Sequence, residues 1–314
     1  MKKAIRDAYG ETLVKLGATN KNIVVLDADV SSSTKSGLFG AEYPERFFNV
    51  GVAEANMAGM AAGLASCGLI PFINTFAAFM VLRAADPIRT LGCYGGANIK
   101  IAGAYAGLSD SYDGATHHSI DDISFMRALP GMTVISVADA IEAEKAVEAA
   151  VEIQGPVYLR LSRAEHPYIY DKNYKFELGK GVVLREGNDI TLIATGYMVS
   201  KTLEAADSLE NQGISAKVVN IHTIKPIDRE LIIKCAKETG LLVTIEEHSI
   251  YGGLGSAVTE VVCSSCPVPV EVIGIDDTFA ESGDYEKLLH KYGLSSEAIT
   301  NRIMTFVNKF NAAR

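Results

Sequence analysis

Residues 47–65 read FFNVGVAEANMAGMAAGLA, a short apolar run followed by a segment dominated by alanine and glycine. The first residues predict a buried β-strand, and the rest predicts a helix whose small side chains let other backbones approach closely. Glu54 is the only ionisable residue in this stretch. A carboxyl group buried without a partner has a raised pKa and is suited to share or exchange a proton. The alternative is a solvated glutamate in the first helical turn, favoured by the helix dipole.

Short β-branched runs alternate with longer helical patterns on both sides of this stretch. Because the runs are continuously apolar, they predict strands covered on both faces, as in parallel sheets with right-handed crossovers. The predicted fold class is α/β, with two doubly wound domains whose sheets are mainly parallel. We expect the first domain at residues 1–167, a polar linker at 168–185 and a smaller second domain at 186–314. The predicted strands are Ile23–Asp27, Phe47–Val50, Ile70–Thr75, Ile99–Ala104, Thr133–Val137 and Val157–Leu161, then Ile190–Ala194, Ala216–Asn220, Leu241–Ile245 and Val270–Ile275.

The composition favours a compact globular protein with a small-molecule partner. The chain has 314 residues, which suggests about two domains. A formal charge of −9 argues against nucleic acid or an anionic membrane as a partner. The N-terminus lacks the apolar run of a signal peptide, and the most apolar region, 69–82, is interrupted by polar residues and a proline. We therefore expect no membrane segment and a cytoplasmic location.

The chain has five cysteines, an odd number that suggests reduced thiols rather than a disulfide framework. Cys263 and Cys266 have the spacing of a redox or zinc motif, but no second Cys/His pair lies at a suitable distance. A metal or redox role for this pair is therefore not favoured.

Polar or aromatic residues follow five of the predicted strands of the first domain. In doubly wound sheets, ligands bind beyond the carboxyl ends of the strands, so these residues predict a binding site at one edge. The candidates in strand order are Asp29 with Ser31, Ser32 and Ser33, then Glu54, then Phe76 and Phe79, then the loop 109–122, and finally Ser162, Arg163 and His166.

Several of these features have alternative interpretations. Phe76 and Phe79 lie three residues apart on one helical face, where they could line a flat heteroaromatic ring or simply belong to the core. The adjacent His117 and His118 among aspartates supply proton donors and acceptors near neutrality, although a solvated turn or a metal site is also possible. The glycine-rich segment 252–257 lacks the third glycine of a dinucleotide loop, which makes a nicotinamide site a poor interpretation.

Four separated segments resemble the C-terminal half of transketolase, in the same order and over essentially the whole chain. They read FNVGVAEANMAGMAAGLA, NTFAAFMVLRAADPIR, YDGATHH and NIHTIKPID. The resemblance implies a first domain with the pyrimidine-binding thiamine-diphosphate fold and a second, C-terminal α/β domain that is mostly structural and forms dimers. In transketolases the diphosphate and its magnesium are held further upstream, at a GDG motif followed by an asparagine. GDG does not occur in this sequence.

The resemblance therefore implies one subunit of a split transketolase. Its cofactors would be thiamine diphosphate and Mg²⁺, with the metal ligands on an N-terminal partner subunit that carries the GDG motif and none on this chain. The expected assembly is an α2β2 heterotetramer.

The resemblance also assigns roles around the cofactor. Glu54 matches the glutamate that hydrogen-bonds N1′ of the pyrimidine and promotes the tautomer that activates the thiazolium carbon. Phe79, with Phe76 beside it, matches aromatic positions that stack on the pyrimidine. Asp29 matches a position near the cofactor at the subunit interface.

Further matches concern the sugar substrate. Asp113 and His117 match positions that contact the donor hydroxyls and assist proton transfer, so His117 joins Glu54 as a catalytic candidate. Arg6, Ser33 and Arg163 match the group that holds the terminal phosphate, and arginine suits that oxyanion. Tyr105 stands where many transketolases have a histidine facing the donor sugar. Leu82 and Ala115 replace a third aromatic residue and a common proline, and these departures leave the substrates open.

The predicted function is transfer of a two-carbon ketol unit from a ketose phosphate to an aldose phosphate, as in the pentose phosphate pathway. One alternative is a specialised transketolase for a sulfonated or branched sugar. Deoxyxylulose-phosphate synthase and a 2-oxoacid dehydrogenase beta subunit are less favoured, because TFAAF and LSRAEHP match transketolase better. A non-catalytic partner subunit is a further alternative, and the presence of Glu54, Phe79, Asp113 and His117 argues against it.

Overall fold

The computed structural model describes residues 2–311. In the first part of the chain, helices and strands alternate as the pattern predicts. These elements are β1 (Lys2–Ala4), α1 (Ile5–Thr19), β2 (Ile23–Asp27), α2 (Ser31–Thr34), α3 (Gly37–Glu42), β3 (Phe47–Asn49), α4 (Glu54–Ser66), β4 (Ile70–Phe76), α5 (Ala77–Arg83), α6 (Ala85–Pro87), β5 (Lys100–Ala104), α7 (Asp122–Ala128), β6 (Thr133–Ser136), α8 (Ala140–Glu152), β7 (Val157–Leu161) and β8 (Glu165–Pro167).

The second part continues the alternation to the end of the described chain. Its elements are β9 (Val182–Arg185), β10 (Ile190–Ala194), α9 (Met198–Glu210), β11 (Ala216–Asn220), β12 (Thr223–Lys225), α10 (Arg229–Thr239), β13 (Leu242–Ser249), α11 (Leu254–Ser265), β14 (Val270–Ile275), α12 (Tyr285–Lys291) and α13 (Ser296–Asn311). A 3₁₀ turn at Pro44–Arg46 and a π-helical segment at Ile88–Tyr94 complete the regular structure of the first part.

Two mainly parallel sheets organise residues 2–311, so the α/β fold class is confirmed. The larger sheet has the order β12-β6-β7-β5-β4-β2-β3, and every neighbouring pair is parallel except β12 with β6. The smaller sheet has the order β14-β13-β10-β11-β9, in which β9 is the antiparallel edge. Strands β1 and β8 form a separate antiparallel pair.

The predicted strands agree closely with the observed ones, with two exceptions. Strand β13 continues to Ser249, four residues beyond the predicted end at Ile245. The prediction of a buried strand at 47–50 is wrong, because β3 is the edge of its sheet and its residues are half-buried or exposed. An edge strand has a neighbour on one side only, and this position in the sheet cannot be read from three residues.

Strands β1, β8, β9 and β12 were not predicted. Strands β1 and β8 pair only with each other, and β9 and β12 are short edge strands. β9 lies at the end of the segment 168–185 that we expected to be a linker, and it pairs with β11. β12 follows the second domain's strand β11 in sequence, yet it extends the first domain's sheet by pairing with β6. The two sheets are therefore tied together by backbone hydrogen bonds.

A shared apolar core also joins the two sheets. One cluster of buried side chains includes Leu26 and Met57 in the first part and Leu242, Leu254 and Val258 in the second. Burial of apolar surface between the two sheets is the main force that holds them together. Among the described residues, no helix is long and apolar enough to cross a membrane.

Helix α4 is covered on one face only. Met57, Ala58 and Ala61 are buried, but a Cβ atom added at Gly59 or Gly63 would meet nothing within 4 Å. The expected close approach of another backbone is therefore not provided by residues 2–311. An apolar, small-residue face left open in one chain suits contact with another.

Candidate active site

The predicted site residues cluster at the carboxyl edge of the larger sheet. Strands β7, β5, β4, β2 and β3 are consecutive neighbours and parallel, so the loops that follow them emerge side by side. These are the five strands that the sequence pattern placed before polar or aromatic residues. The sheet topology explains how residues as far apart as Asp29 and Arg163 come to share one edge.

Glu54 is the first residue of α4 and is only 4% exposed. The sequence suggested a buried carboxyl group without a partner. In the structure Glu54 has one, because Arg83 Nη1 donates a hydrogen bond to its Oε1 atom at 2.8 Å. Both interpretations of this glutamate are thus partly right, since it lies in the first helical turn and is also buried. Removing the arginine would leave a buried carboxylate without its ion pair.

An aromatic wall lies beside Glu54. The ring centroids of Phe76 and Phe79 are 5.6 Å apart, and the rings of His117 and Phe79 form an edge-to-face contact with centroids 5.0 Å apart. Tyr105 continues the wall at 4.4 Å from Phe76. The guanidinium carbon Cζ of Arg83 lies 3.8 Å from the Phe79 ring centroid. Phe76 and Phe79 therefore lie together at this edge of the sheet, although Phe76 is itself nearly buried.

Two arginines flank the ring of Tyr105. The guanidinium carbons of Arg6 and Arg163 lie 5.3 and 5.0 Å from its centroid. Arg6 Nη1 donates to the Tyr105 hydroxyl at 2.5 Å and to the carbonyl of Ser33 at 3.0 Å. The structure thus brings Arg6, Ser33 and Arg163 around Tyr105, and such a pair of cations suits an oxyanion.

Arg163 forms an ion pair with the buried residue Asp110. Its carboxylate, which is fully buried, accepts a hydrogen bond from Arg163 Nη1 at 3.0 Å. Burial, and to a lesser extent the nearby Asp113, raise the pKa of Asp110 to about 7 against the opposing effect of Arg163. Asp110 therefore gains or loses its negative charge near neutral pH, and the strength of its ion pair with Arg163 changes with it.

The loop between Tyr105 and His118 is anchored by the second part of the chain. The buried carboxylate of Glu247, in β13, accepts a hydrogen bond from the backbone N–H of Leu108 at 2.6 Å. Gly107 has φ +66°, and a Cβ atom there would lie 2.5 Å from the Glu247 carboxyl carbon. Only glycine fits this approach without displacing Glu247. The second domain thus helps to position the loop that carries Asp113 and His117.

The remaining predicted residues lie at the margin of the cluster. Asp113 is exposed on the loop, next to Asp110. Asp29 is exposed, has φ +66° and accepts a hydrogen bond from Asn49 at 2.8 Å. The residue after Asp29, Val30, packs against the aromatic wall.

Three residues near this edge were missed by the sequence analysis: Arg83, Asp110 and Glu247. Arg83 lies four residues after Phe79 on one helix, a spacing that places two side chains on the same face and could have revealed the contact. Asp110 was part of the quoted loop but had no local signal of its pairing. Glu247 is 139 residues away from its partner Leu108, so only the folded chain could show the contact.

Two family models match most of the chain. Residues 1–167 match the family model for the transketolase pyrimidine binding domain, and residues 179–299 match the model for the transketolase C-terminal domain. The chain belongs to the transketolase family.

Individual relatives have nearly the same length as this chain. A Methanocaldococcus jannaschii protein named as a transketolase C-terminal section is 46% identical over 310 residues, which cover 98% of this chain and 97% of the relative. A 6-deoxy-6-sulfo-D-fructose transketolase subunit from a Clostridium species is 42% identical, over 94% of this chain and 92% of the relative. A solved structure described as a split gene transketolase, inactive beta4 tetramer, has a TM-score of 0.89 and 46% identity, covering 97% of this chain and 98% of the other.

Proposed function

We propose that this chain is the C-terminal subunit of a split transketolase that transfers a two-carbon ketol unit from a ketose phosphate to an aldose phosphate. The observation that carries the proposal is one sheet edge on which a buried carboxylate, an aromatic wall and a pair of arginines adjoin. The relatives of similar length, named as a C-terminal section, a subunit or a split gene product, support it. We further propose that residues 1–167 form the pyrimidine-binding domain, 168–185 a linker and 186–314 the C-terminal domain, and that the protein is cytoplasmic.

The residues of the edge fit the pyrimidine half of thiamine diphosphate. A flat heteroaromatic ring with nitrogen atoms on its rim needs a ring face to stack on and a carboxyl group as a hydrogen-bond partner. Phe79 and Phe76 supply the face, and Glu54 supplies the carboxyl group. When bound, the cofactor supplies the carbanion and electron-sink chemistry of the reaction.

The chain's own residues orient, bind and move protons. We assign Glu54 to the proton that is shared with the pyrimidine nitrogen N1′. His117, at the edge of Phe79, is placed to contact a donor hydroxyl together with Asp113, because an imidazole can accept and return a proton near neutral pH. Arg6 and Arg163 bind the substrate's terminal anion, with Tyr105 between them and the Ser33 carbonyl fixing Arg6.

The diphosphate and its magnesium ion are assigned to an N-terminal partner subunit. Within residues 2–311, no group of three His, Cys, Asp or Glu side chains could hold a metal ion. The exposed face of α4 supports a partner that completes the site. We propose an α2β2 heterotetramer whose partner carries the GDG motif, with Asp29 near the subunit interface.

A second candidate is a transketolase for a sulfonated sugar. Tyr105 between two arginines replaces the histidine of many transketolases, and a Clostridium relative is named for 6-deoxy-6-sulfo-D-fructose. Sulfonates and phosphates are both tetrahedral oxyanions, so the two arginines suit either. The test is a substrate panel with the reconstituted complex: a preference for the phosphate of the same sugar supports the first candidate, and a preference for the sulfonate supports the second.

Replacing Arg163 by alanine should weaken the binding of phosphorylated substrates far more than the binding of their non-phosphorylated analogues. A hydrogen bond to a charged group contributes about 1.5–3 kcal/mol, so KM should rise by roughly one to two decades for the phosphorylated substrate alone. Steady-state kinetics on matched sugar pairs provides the measurement. The control is Arg185→Ala, which removes an arginine paired with Asp207 and Glu210 in the second domain. Equal losses for both substrate types would remove Arg163 from the anion site.

Replacing Asp110 by asparagine should change how substrate binding depends on pH. Because the pKa of Asp110 is about 7, its carboxyl is mostly neutral below that pH and ionised above it. The ionised form holds Arg163 more tightly and repels a phosphate, so we expect wild-type KM to exceed the variant's by about threefold to tenfold at pH 8 and to match it near pH 6.

The wild-type to variant ratio is the useful quantity, because the substrate phosphate titrates identically in both measurements. Asp171→Asn, an exposed residue in the segment 168–185, serves as the matched control. A KM ratio that stays constant from pH 6 to pH 8 would show that Asp110 does not govern the anion site.

A further inference from the structure

Arg83, the last residue of the largely buried helix α5, makes two contacts at the candidate site. Its guanidinium lies over Phe79, with Cζ 3.8 Å from the ring centroid. Its Nη1 atom also donates to Glu54 Oε1 at 2.8 Å, although the arginine side chain is 46% exposed and the glutamate side chain only 5%. A half-exposed, flexible side chain thus reaches in from solvent to two of the residues that we assign to the cofactor's ring.

The chemistry of these contacts is that of an aminopyrimidine. A guanidinium and an aminopyrimidine are both planar and carry nitrogen atoms on the rim. Each can stack on a phenylalanine face and hydrogen-bond a carboxyl oxygen. A separation of 3.8 Å is ordinary van der Waals contact, which leaves no room for a second ring on the covered face of Phe79.

We propose that Arg83 is a displaceable stand-in for the cofactor's pyrimidine ring. It closes the space between Phe79 and Glu54 by its own side chain, and it swings towards solvent when the ring enters. The inference rests on the proposed function. It adds a competition in which Arg83 and the cofactor's pyrimidine ring bind to the same two side chains, Phe79 and Glu54.

The forces on Arg83 are consistent with such a movement. Its ion pair involves one hydrogen bond from a half-exposed side chain, and exposed cation–π contacts are weak. At the same time, Arg83 satisfies the buried charge of Glu54, which would otherwise be costly. The arrangement in which Arg83 contacts Phe79 and Glu54 is therefore favoured but reversible. A side chain that the cofactor displaces needs both properties.

The competition predicts the direction of the effect of mutation. If the binding-competent form is a minority, the observed dissociation constant equals the intrinsic one divided by the competent fraction, so removing the competitor tightens binding. We expect Arg83→Ala, in the complex with the partner subunit, to bind thiamine diphosphate roughly 3- to 30-fold more tightly than wild type. A permanent partner of Glu54 would show the opposite, because its loss would weaken the site.

The experiment is titration calorimetry of the reconstituted complex with thiamine diphosphate at saturating Mg²⁺. Arg89→Ala is the matched control, because it removes the same charge six residues further along the chain, at an exposed position in the π-helical segment, and should leave the dissociation constant unchanged. Arg83→Gln keeps a hydrogen-bond donor for Glu54 and is the second test variant in case the alanine variant does not fold. It should also bind thiamine diphosphate more tightly than wild type. Melting curves of each variant check the fold.

A structure of the cofactor-bound complex gives an independent readout. The guanidinium carbon should move more than about 6 Å from the Phe79 centroid, beyond the range of a cation–π contact. Unchanged or weaker cofactor binding in both Arg83 variants, or an arginine still stacked on Phe79 with the cofactor present, would overturn the stand-in alone. A wild-type complex that fails to bind thiamine diphosphate would overturn the proposed function as well.

Discussion

The Glu54→Gln variant, assembled with its partner subunit, is expected to lose turnover while keeping its fold. Glutamine has nearly the volume of glutamate and can still accept the hydrogen bond from Arg83, but it cannot deliver a proton to the pyrimidine nitrogen. Positioned acid–base groups contribute about 10²- to 10⁴-fold to a rate, so proton exchange at the thiazolium carbon should slow by at least about 100-fold. Exchange of that proton for deuterium, followed by NMR, is the direct measurement.

The fold should be little affected by this change. Glutamine is neutral, so the change removes the ion pair without leaving a buried charge unpaired, and the side chain of Arg83 is 46% exposed to solvent. Glu45→Gln, at a side chain that is 68% exposed, is the matched control and should exchange the proton at the wild-type rate. If Glu54→Gln also exchanges at the wild-type rate, the assignment of Glu54 is wrong.

The second large effect concerns the partner subunit. Purified alone, this chain should show no ketol transfer with thiamine diphosphate and Mg²⁺, and it should associate with itself through the open face of α4. Exposed apolar residues near that face support this expectation: Val52 is 71% and Leu82 67% exposed. A solved relative with 46% identity is described as an inactive beta4 tetramer, which is consistent with self-association of such a chain.

Mixing with the GDG-bearing subunit should restore activity and produce a complex with two copies of each chain. Such an assembly is a closed symmetric oligomer, as most soluble oligomers are. Ketol transfer and the mass in solution, measured before and after mixing, test both statements. Robust activity of this polypeptide by itself would contradict the split-subunit proposal.

A variant of α4 can show that this face is the one that assembles. Gly63→Glu should weaken both self-association and activation by the partner, because the position is open within the described chain and a charge there opposes an apolar contact. Gln212→Glu adds the same charge at an exposed position of the second domain and should leave both properties unchanged. If the two variants behave alike, the contact lies elsewhere.

Most strands could be predicted because their apolar runs are local properties of the sequence. Ile23–Asp27 and Val157–Leu161 have the predicted bounds, and every residue in both strands is buried. Strands β9 and β12 could not be predicted, since each has only three or four residues and forms by pairing with a distant strand. Isolated short strands have little stability of their own, so their pairing depends on the rest of the fold.

The candidate site shows the same division between local and long-range information. The order of strands and loops placed Glu54, Phe79 and Arg163 at one edge of a parallel sheet, because carboxyl ends of such strands meet there. The pairing of each charge was not predictable in this way. Asp110 contacts Arg163 across 53 positions, and Arg83 contacts Glu54 across 29.

By itself, the sequence determined the α/β class, most strand bounds, the sheet edge where the candidate residues meet and the resemblance to the transketolase family. These depend on periodicity, strand order and residue identity, all of which are present in the unfolded chain. The tertiary structure decided that β3 is an exposed edge, that Glu54 is paired with Arg83, and that Glu247 of the second domain holds the loop at Leu108. The physical reason is that burial and charge pairing are properties of neighbours in space, and chain folding brings those neighbours together from distant positions.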